Sequence, residues 1–257
     1  MKKEVLLLML LIIIFVGINY SWMDTWVVKE LSYDRIVVID RIVDGDTIKA
    51  GNESIRLLGI NTPEKKEYMH DEAQNFLTNL VFNKTVSLKY GKDQKDIYGR
   101  TLAYISYNEI DVNKEMILNG YANAYFPSGR DVNYNSYFEA WNSCVNNNVN
   151  LCEKSVDACS SCIKLKRFGK EERVIFENVC NIDCNLENWN VKDEGRKNYV
   201  FGNFVLESNS EVNLNSASGD NNSTDLFWNR TDYVWTDSGD TIFLRDDKRK
   251  LVLWERY

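Results

Sequence analysis

Three short clusters carry oxygen and guanidinium groups at spacings that suit phosphate chemistry. They are Val43-Asp44-Gly45-Asp46-Thr47, Ile55-Arg56-Leu57-Leu58-Gly59-Ile60-Asn61-Thr62-Pro63-Glu64 and Asp96-Ile97-Tyr98-Gly99-Arg100. Each alone has a plainer reading: Asp-Gly between strands is first of all a turn, and a lone arginine on a strand is usually a solvated or salt-bridged face. Together they say more. Asp46, with oxygens around Asn61 and Thr62, could hold a hard cation such as Ca²⁺, and Arg56 and Arg100 could grip one phosphate bidentately. Glu64, just past a strand end, could hold a water. His70 is the only histidine, which excludes two-histidine zinc sites and any mechanism needing paired imidazoles. Any hydrolysis by this chain rests on carboxylates, arginines or a metal held by oxygens.

The elements that must position these groups read as short strands over 36–39, 47–50 and 54–58, separated by Asp-Gly and Gly-Asn turns, in a small antiparallel meander. Ala73, Phe76, Leu77, Leu80 and Val81 share one helical face, with Asp71 and Glu72 in the favourable first turn, which predicts a helix over 71–83. Strands over 85–90 and 101–107 follow, then a short helix from about Asn113 closed by Gly120, and a last helix over 133–145. Five strands with helices at the edges suit a small Greek-key barrel. Beyond 170 the pattern is again strand-like, with Trp189, Trp228, Trp235 and Trp254, frequent Gly and Asn turns and no useful helical stretch. A second all-β domain is expected there. This gives four segments: a signal peptide or membrane anchor at 1–22, a barrel at 34–152, a cysteine-containing linker at 153–170 and a sandwich at 171–257.

Lys2 and Lys3 precede an unbroken apolar run over 5–18, the order of an export signal, which is either cleaved or retained as a membrane tether. Export would place the remainder outside, secreted or on the outer face of the membrane. The six cysteines all lie between Cys144 and Cys184, and an even count in an exported chain favours three disulfides, with Cys180 and Cys184 one candidate pair. Cys144, Cys152, Cys159 and Cys162 could instead make a four-thiolate zinc site. The net charge is −7, and neither half is basic, which argues against a protein that grips nucleic acid through a broad positive face.

In the order in which they occur, the D-G-D-T turn, the R-L-L strand running to T-P-E, the Y-G-R turn, the Leu102-Ala103-Tyr104-Ile105 strand and the closing Asn150-Leu151 resemble the staphylococcal-nuclease-like (thermonuclease) family. The resemblance implies an OB-fold phosphodiesterase that cuts DNA and RNA, single-stranded substrate included, with Ca²⁺. Carried over by position, Asp46 is a calcium ligand, Thr62 offers its carbonyl, Glu64 is the general base or water-orienting group, and Arg56 and Arg100 stabilise the charged phosphorane. Tyr98 and Tyr125 fall on the nucleotide side, although Tyr125 reads equally well as core. Two departures stand out. Asn61 replaces the family's second aspartate ligand, so the calcium site is expected to be weak and Asn61→Asp to tighten it; Ile97 replaces a basic residue. They leave open a noncatalytic binding protein built on the same barrel. From Cys184-Asn185-Leu186-Glu187-Asn188-Trp189 to Gly239-Asp240-Thr241-Ile242-Phe243-Leu244 the chain resembles a lamin-tail domain, which implies an immunoglobulin-like β-sandwich whose ligand the sequence does not identify. There Leu186, Trp189, Phe201, Phe204 and Leu244 would be core, with Gly239-Asp240 a turn.

Overall fold

The computed structural model describes residues 3–5, 8–15, 17 and 35–257. Residues 3–5, 8–15 and 17 are helical, and among the described residues no helix is long and apolar enough to cross a membrane. The rest of the 1–22 segment expected as signal or anchor lies outside the described residues.

The first unit is built from β1 (Arg35–Val38), β2 (Arg41–Asp44), β3 (Thr47–Ala50), β4 (Glu53–Leu57), β5 (Ile60–Asn61), β6 (Thr85–Lys95), β7 (Thr101–Tyr107), β8 (Ile110–Asp111) and β9 (Asn123–Ala124). Its sheet runs β1-β6-β7-β4-β3-β2, with β4 and β7 parallel and β8 folded back on β7, while β5 pairs with β9. The sequence pattern suggests 36–39 beside 47–50, but it is β2 that pairs with β3, and β1 pairs with β6. β1 and β2 are one apolar run that changes partner at a bend. There the Ile39 N–H donates to the Lys84 carbonyl at 3.0 Å and the Asp40 N–H to the Lys49 carbonyl at 3.1 Å. That exchange closes the sheet into an OB-fold-like barrel in which 35–44 serves as a single bent strand.

Helix α1 (His70–Val81) buries Ala73, Leu77 and Val81 at helical spacing against this barrel. In α2 (Val112–Leu118) the Asp111 side chain caps the helix by accepting from the Lys114 N–H. Buried Asn113 then accepts from the Ile105 N–H at 3.0 Å and donates to the Leu58 carbonyl at 2.8 Å, fixing the end of β4 against β7. Helix α3 (Tyr134–Asn147) buries Tyr137, Phe138, Ala140, Trp141 and Cys144.

The second unit comprises β10 (Ile163–Arg167), β11 (Arg173–Asn178), β12 (Cys184–Asn185), β13 (Asn190–Lys192), β14 (Asn198–Val200), β15 (Val205–Leu206), β16 (Glu211–Asn215), β17 (Asp225–Phe227), β18 (Thr241–Arg245) and β19 (Leu251–Arg256). Two four-stranded sheets, β10-β11-β16-β17 and β14-β13-β18-β19, enclose one core in an immunoglobulin-like sandwich, with β12 and β15 forming a small ribbon. Leu186, Trp189, Phe201 and Leu244 are buried in it, and Phe204 packs against it half-buried. The 153–170 segment is not a free linker. Leu251 exchanges backbone bonds with Glu153 and Ser155, and Ile163–Arg167 is an edge strand of the sandwich. Its exposed lysines and arginine masked the alternation that buries Ile163.

All six cysteines are paired, as Cys144–Cys152, Cys159–Cys184 and Cys162–Cys180. The Cys180–Cys184 pairing and the four-thiolate zinc site are therefore both set aside: the topology brings β12 over the 159–162 turn, and Cys152 clasps the end of α3. The two units pack through aromatic edges, Trp141 of α3 meeting Phe243 at 5.2 Å and Trp254 at 6.1 Å between ring centroids. Such pairs contribute about 0.5 to 1.5 kcal/mol each beyond the area they bury.

Candidate active site

The β2–β3 turn, the β4–β5 segment and the β6–β7 turn converge on one network. Gly45 leaves no room for a side chain, since a Cβ there would stand 2.9 Å from Thr62 Oγ1 and 3.0 Å from the Ala73 Cβ. The turn is thereby pressed against β5 and α1. Asp46 follows, buried, with Oδ2 2.9 Å from Arg56 Nη2, while Oδ1 accepts from Thr47 Oγ1 at 2.9 Å. The Thr62 N–H approaches Asp46 Oδ2 at 3.4 Å, and the Thr62 hydroxyl is buried with no hydrogen-bond partner among the described residues. Arg56 also donates to the Leu57 carbonyl. Burial pulls its pKa down, Asp46 opposes that, and the like charges of Arg100 and Arg196 add to it.

Arg100 is held by its own turn, donating from Nε to Asp96 Oδ2 at 2.6 Å and from its backbone N–H to Asp96 Oδ1 at 2.9 Å. Its Nη1 lies 3.5 Å from Thr47 Oγ1, linking it through Thr47 to Asp46. Tyr98 is exposed, with the Arg100 guanidinium 5.5 Å from its ring centroid. Asp46, Arg56, Thr62 and Arg100 are thus joined in one hydrogen-bonded set. His70 does structural work: its Nδ1 sits 3.0 Å from the Pro63 carbonyl and 3.5 Å from Asp44 Oδ1, tying the segment before Glu64 to the β2–β3 turn.

Asn61, Glu64 and Tyr125 lie against a segment that the sequence reading missed, the loop from Lys192 to Lys197 of the second unit. Buried Asn61 donates from Nδ2 to the Gly195 carbonyl at 2.7 Å. Its neighbour across the β5–β9 pair, Asn123, donates to the Glu194 carbonyl at 2.8 Å. Lys192 Nζ is 2.6 Å from Glu67 Oε2, which also accepts from the Glu64 N–H at 2.8 Å. Glu64 Oε1 itself is 2.6 Å from Arg196 Nε. Tyr125 is half-buried; burial first, and then Asp193, push its phenol up, while Arg56 and Arg196 draw it back. Nothing local marks Lys192-Asp193-Glu194-Gly195-Arg196-Lys197 as part of this site, because mixed charge around a glycine reads as an ordinary turn.

Behind the loop lies a cluster of buried acids. Desolvation, and then mutual repulsion, push Glu194 up to about 8 and Asp193 up to about 7, and desolvation pushes Asp240 up to about 6. Glu194 accepts from the Phe126 N–H at 3.3 Å and from Thr241 Oγ1 at 3.1 Å, so it bridges the two units. In an unfolded chain these groups ionise near pH 4, so from about pH 4 to about 8 the folded state binds more protons and stability falls as pH rises. The thermal midpoint should therefore drop between about pH 4 and about pH 8, and Glu194→Gln should flatten that slope. Equal slopes in the two proteins, followed by circular dichroism, would show that Glu194 ionises freely.

The chain divides in two by its similarity to known proteins. Residues 54–154 match the family model for staphylococcal nuclease homologues, and residues 147–257 match that for the lamin tail domain. The thermonuclease of Staphylococcus intermedius is 36% identical over 99 residues, 35% of this chain and 59% of that protein. An uncharacterized endonuclease of Haemophilus influenzae is 37% identical over 111 residues, 41% of this chain and 60% of that protein. The thermonuclease of Staphylococcus hyicus is 36% identical over 96 residues, 34% of this chain and 57% of that protein. The matched stretches thus span somewhat under two thirds of these relatives. A region similar to staphylococcal nuclease homologues followed by one similar to lamin tail domains is the arrangement that the sequence motifs imply.

Proposed function

We propose that this chain is a Ca²⁺-dependent nuclease that hydrolyses phosphodiester bonds of single-stranded DNA or RNA. The observation that carries the reading is the Arg56–Asp46–Thr47–Arg100 network, which holds two guanidiniums at one place beside the segment bearing Glu64. The relatives named thermonuclease and endonuclease support it. Arg56 and Arg100 neutralise the charge that develops on the phosphorus-bound oxygens as a water attacks and the P–O bond to the leaving sugar oxygen breaks, Glu64 orients that water and accepts its proton, and the leaving oxygen takes a proton from solvent. Tyr98 offers an exposed ring on which a base can stack, worth about 1 to 3 kcal/mol.

The residues fit a hard cation. Among the described residues no group of three or more His, Cys, Asp or Glu could hold a metal, and the proposed donor set is instead a single carboxylate, Asp46, with the neutral oxygens of Asn61 and Thr62. The orphaned Thr62 hydroxyl beside Asp46 is a buried oxygen in want of a partner, and an all-oxygen set suits Ca²⁺. Bound there, Ca²⁺ would supply further positive charge toward the phosphate. The three disulfides support an oxidising compartment, consistent with export or attachment outside the cell through 5–18. The test is digestion of a labelled single-stranded oligonucleotide by the purified chain. Cleavage with Ca²⁺ that stops with chelator is the expected result; retention of the oligonucleotide without cleavage at any Ca²⁺ concentration would replace the enzyme with a binding protein.

A further inference from the structure

We infer that the nuclease site is assembled across both units, and that Arg196 of the second unit is a substrate-binding residue that takes a phosphate of the nucleic-acid strand. The inference rests on the nuclease reading above and gives the second unit a part in it. Four contacts place the loop against the site: Asn61 to the Gly195 carbonyl, Asn123 to the Glu194 carbonyl, Lys192 to Glu67, and Arg196 to Glu64. The first two are amide to carbonyl bonds at 2.7 and 2.8 Å, and they fix two consecutive carbonyls of the loop, those of Gly195 and Glu194. Gly195 suits that closeness, since a Cβ there would stand 3.2 Å from Asp193 Oδ2 and 3.5 Å from the Tyr125 ring.

The head of Arg196 is the opposite case. Its side chain is 58% exposed, and its partner Glu64 is 36% exposed. An ion pair so open to water is worth about 0 to 1 kcal/mol, so the guanidinium leaves it at little cost. Its charge is felt at Arg56, as is that of Arg100, so both lie within electrostatic reach of the buried guanidinium. Each of the three is paired with one carboxylate, Asp46, Asp96 or Glu64, and the Arg196 pair is the most exposed of them, so Arg196 is the guanidinium most readily given over to a phosphate. A guanidinium matches two phosphate oxygens at once in a fork, and the nearest contact that Glu64 makes with it is at Nε. A fixed loop with a movable cationic head therefore suits a strand phosphate better than it suits a structural tie.

The test compares wild type, Arg196→Ala, Arg196→Lys and, as a one-charge control on β10, Arg167→Ala. Steady-state cleavage of a labelled single-stranded oligonucleotide is followed over a series of salt concentrations. Arg196→Ala should raise KM about tenfold and reduce its salt slope by about 0.7, the change for one phosphate contact on a single strand, with kcat much less affected. Arg196→Lys should recover most of the salt slope, and Arg167→Ala should match wild type. An unchanged KM and slope in Arg196→Ala would overturn the inference. An unchanged KM with a raised kcat would also overturn it, making the ion pair a brake on Glu64. If wild type itself neither binds nor cuts the oligonucleotide, the nuclease reading falls and this one with it.

Discussion

Arg100→Ala is expected to lower kcat by about a hundred- to a thousandfold with the fold retained, the loss usual when one donor to a developing oxyanion is removed. The structure makes Arg100 the cleaner of the two arginines to test. Its side chain is about a quarter exposed, and it is held by Asp96 of its own turn and by one long contact to Thr47, so truncation leaves Asp46 with both Arg56 and Thr47. Arg56 is different. It is buried and is the ion partner of a buried Asp46, so Arg56→Ala mixes lost transition-state stabilisation with about 3 to 5 kcal/mol from stranding a buried charge. Arg56→Lys keeps the charge and gives up the fork, so it separates the two effects better. The measurement is single-turnover cleavage at saturating oligonucleotide, with the thermal midpoint as the check on folding. A folded Arg100→Ala chain with near-normal turnover would remove the phosphate clamp from the mechanism.

The parts of this site that the sequence makes legible are local ones. Asp46, Arg56, Thr62 and Arg100 lie on or beside tight turns whose glycines announce them, and the strands between alternate in a way that needs no distant partner to be read. The helices are equally plain, because Ala73, Leu77 and Val81 fall on one face whatever they pack against. What stays hidden depends on distant pairing. The bend at Ile39–Asp40 shows only once Lys84 and Lys49 are known to stand on either side of it. β10 was obscured by its charges, and the cysteine pairing by the fold that sets it. Asn61 is the sharpest case. In sequence it reads as a weakened calcium ligand; in the fold its amide reaches a carbonyl 134 residues away, which only the packing of the two units brings near.

That contact changes what substitutions at the metal end should do. The sequence alone suggests that Asn61→Asp adds a charged oxygen and tightens Ca²⁺ binding. The geometry adds a cost: a carboxylate has no N–H to give the Gly195 carbonyl, and it would face that oxygen across a buried gap. An unsatisfied buried polar contact costs about 1 to 3 kcal/mol, so Asn61→Asp should lower stability in chelator and regain part of the loss when Ca²⁺ is added. Asp46→Asn should be the more severe change. It removes the only carboxylate of the proposed calcium set and leaves the Arg56 guanidinium buried without its counter-ion, a loss of about 3 to 5 kcal/mol. It should also abolish cleavage at any practical Ca²⁺ concentration, and added Ca²⁺ should restore neither activity nor stability. Thermal unfolding with and without Ca²⁺, for wild type and both variants at one ionic strength, measures these effects together. If Ca²⁺ stabilises Asp46→Asn as much as wild type, the cation sits elsewhere. If Asn61→Asp is as stable in chelator as wild type, Asn61 is not what holds the Gly195 loop against the barrel.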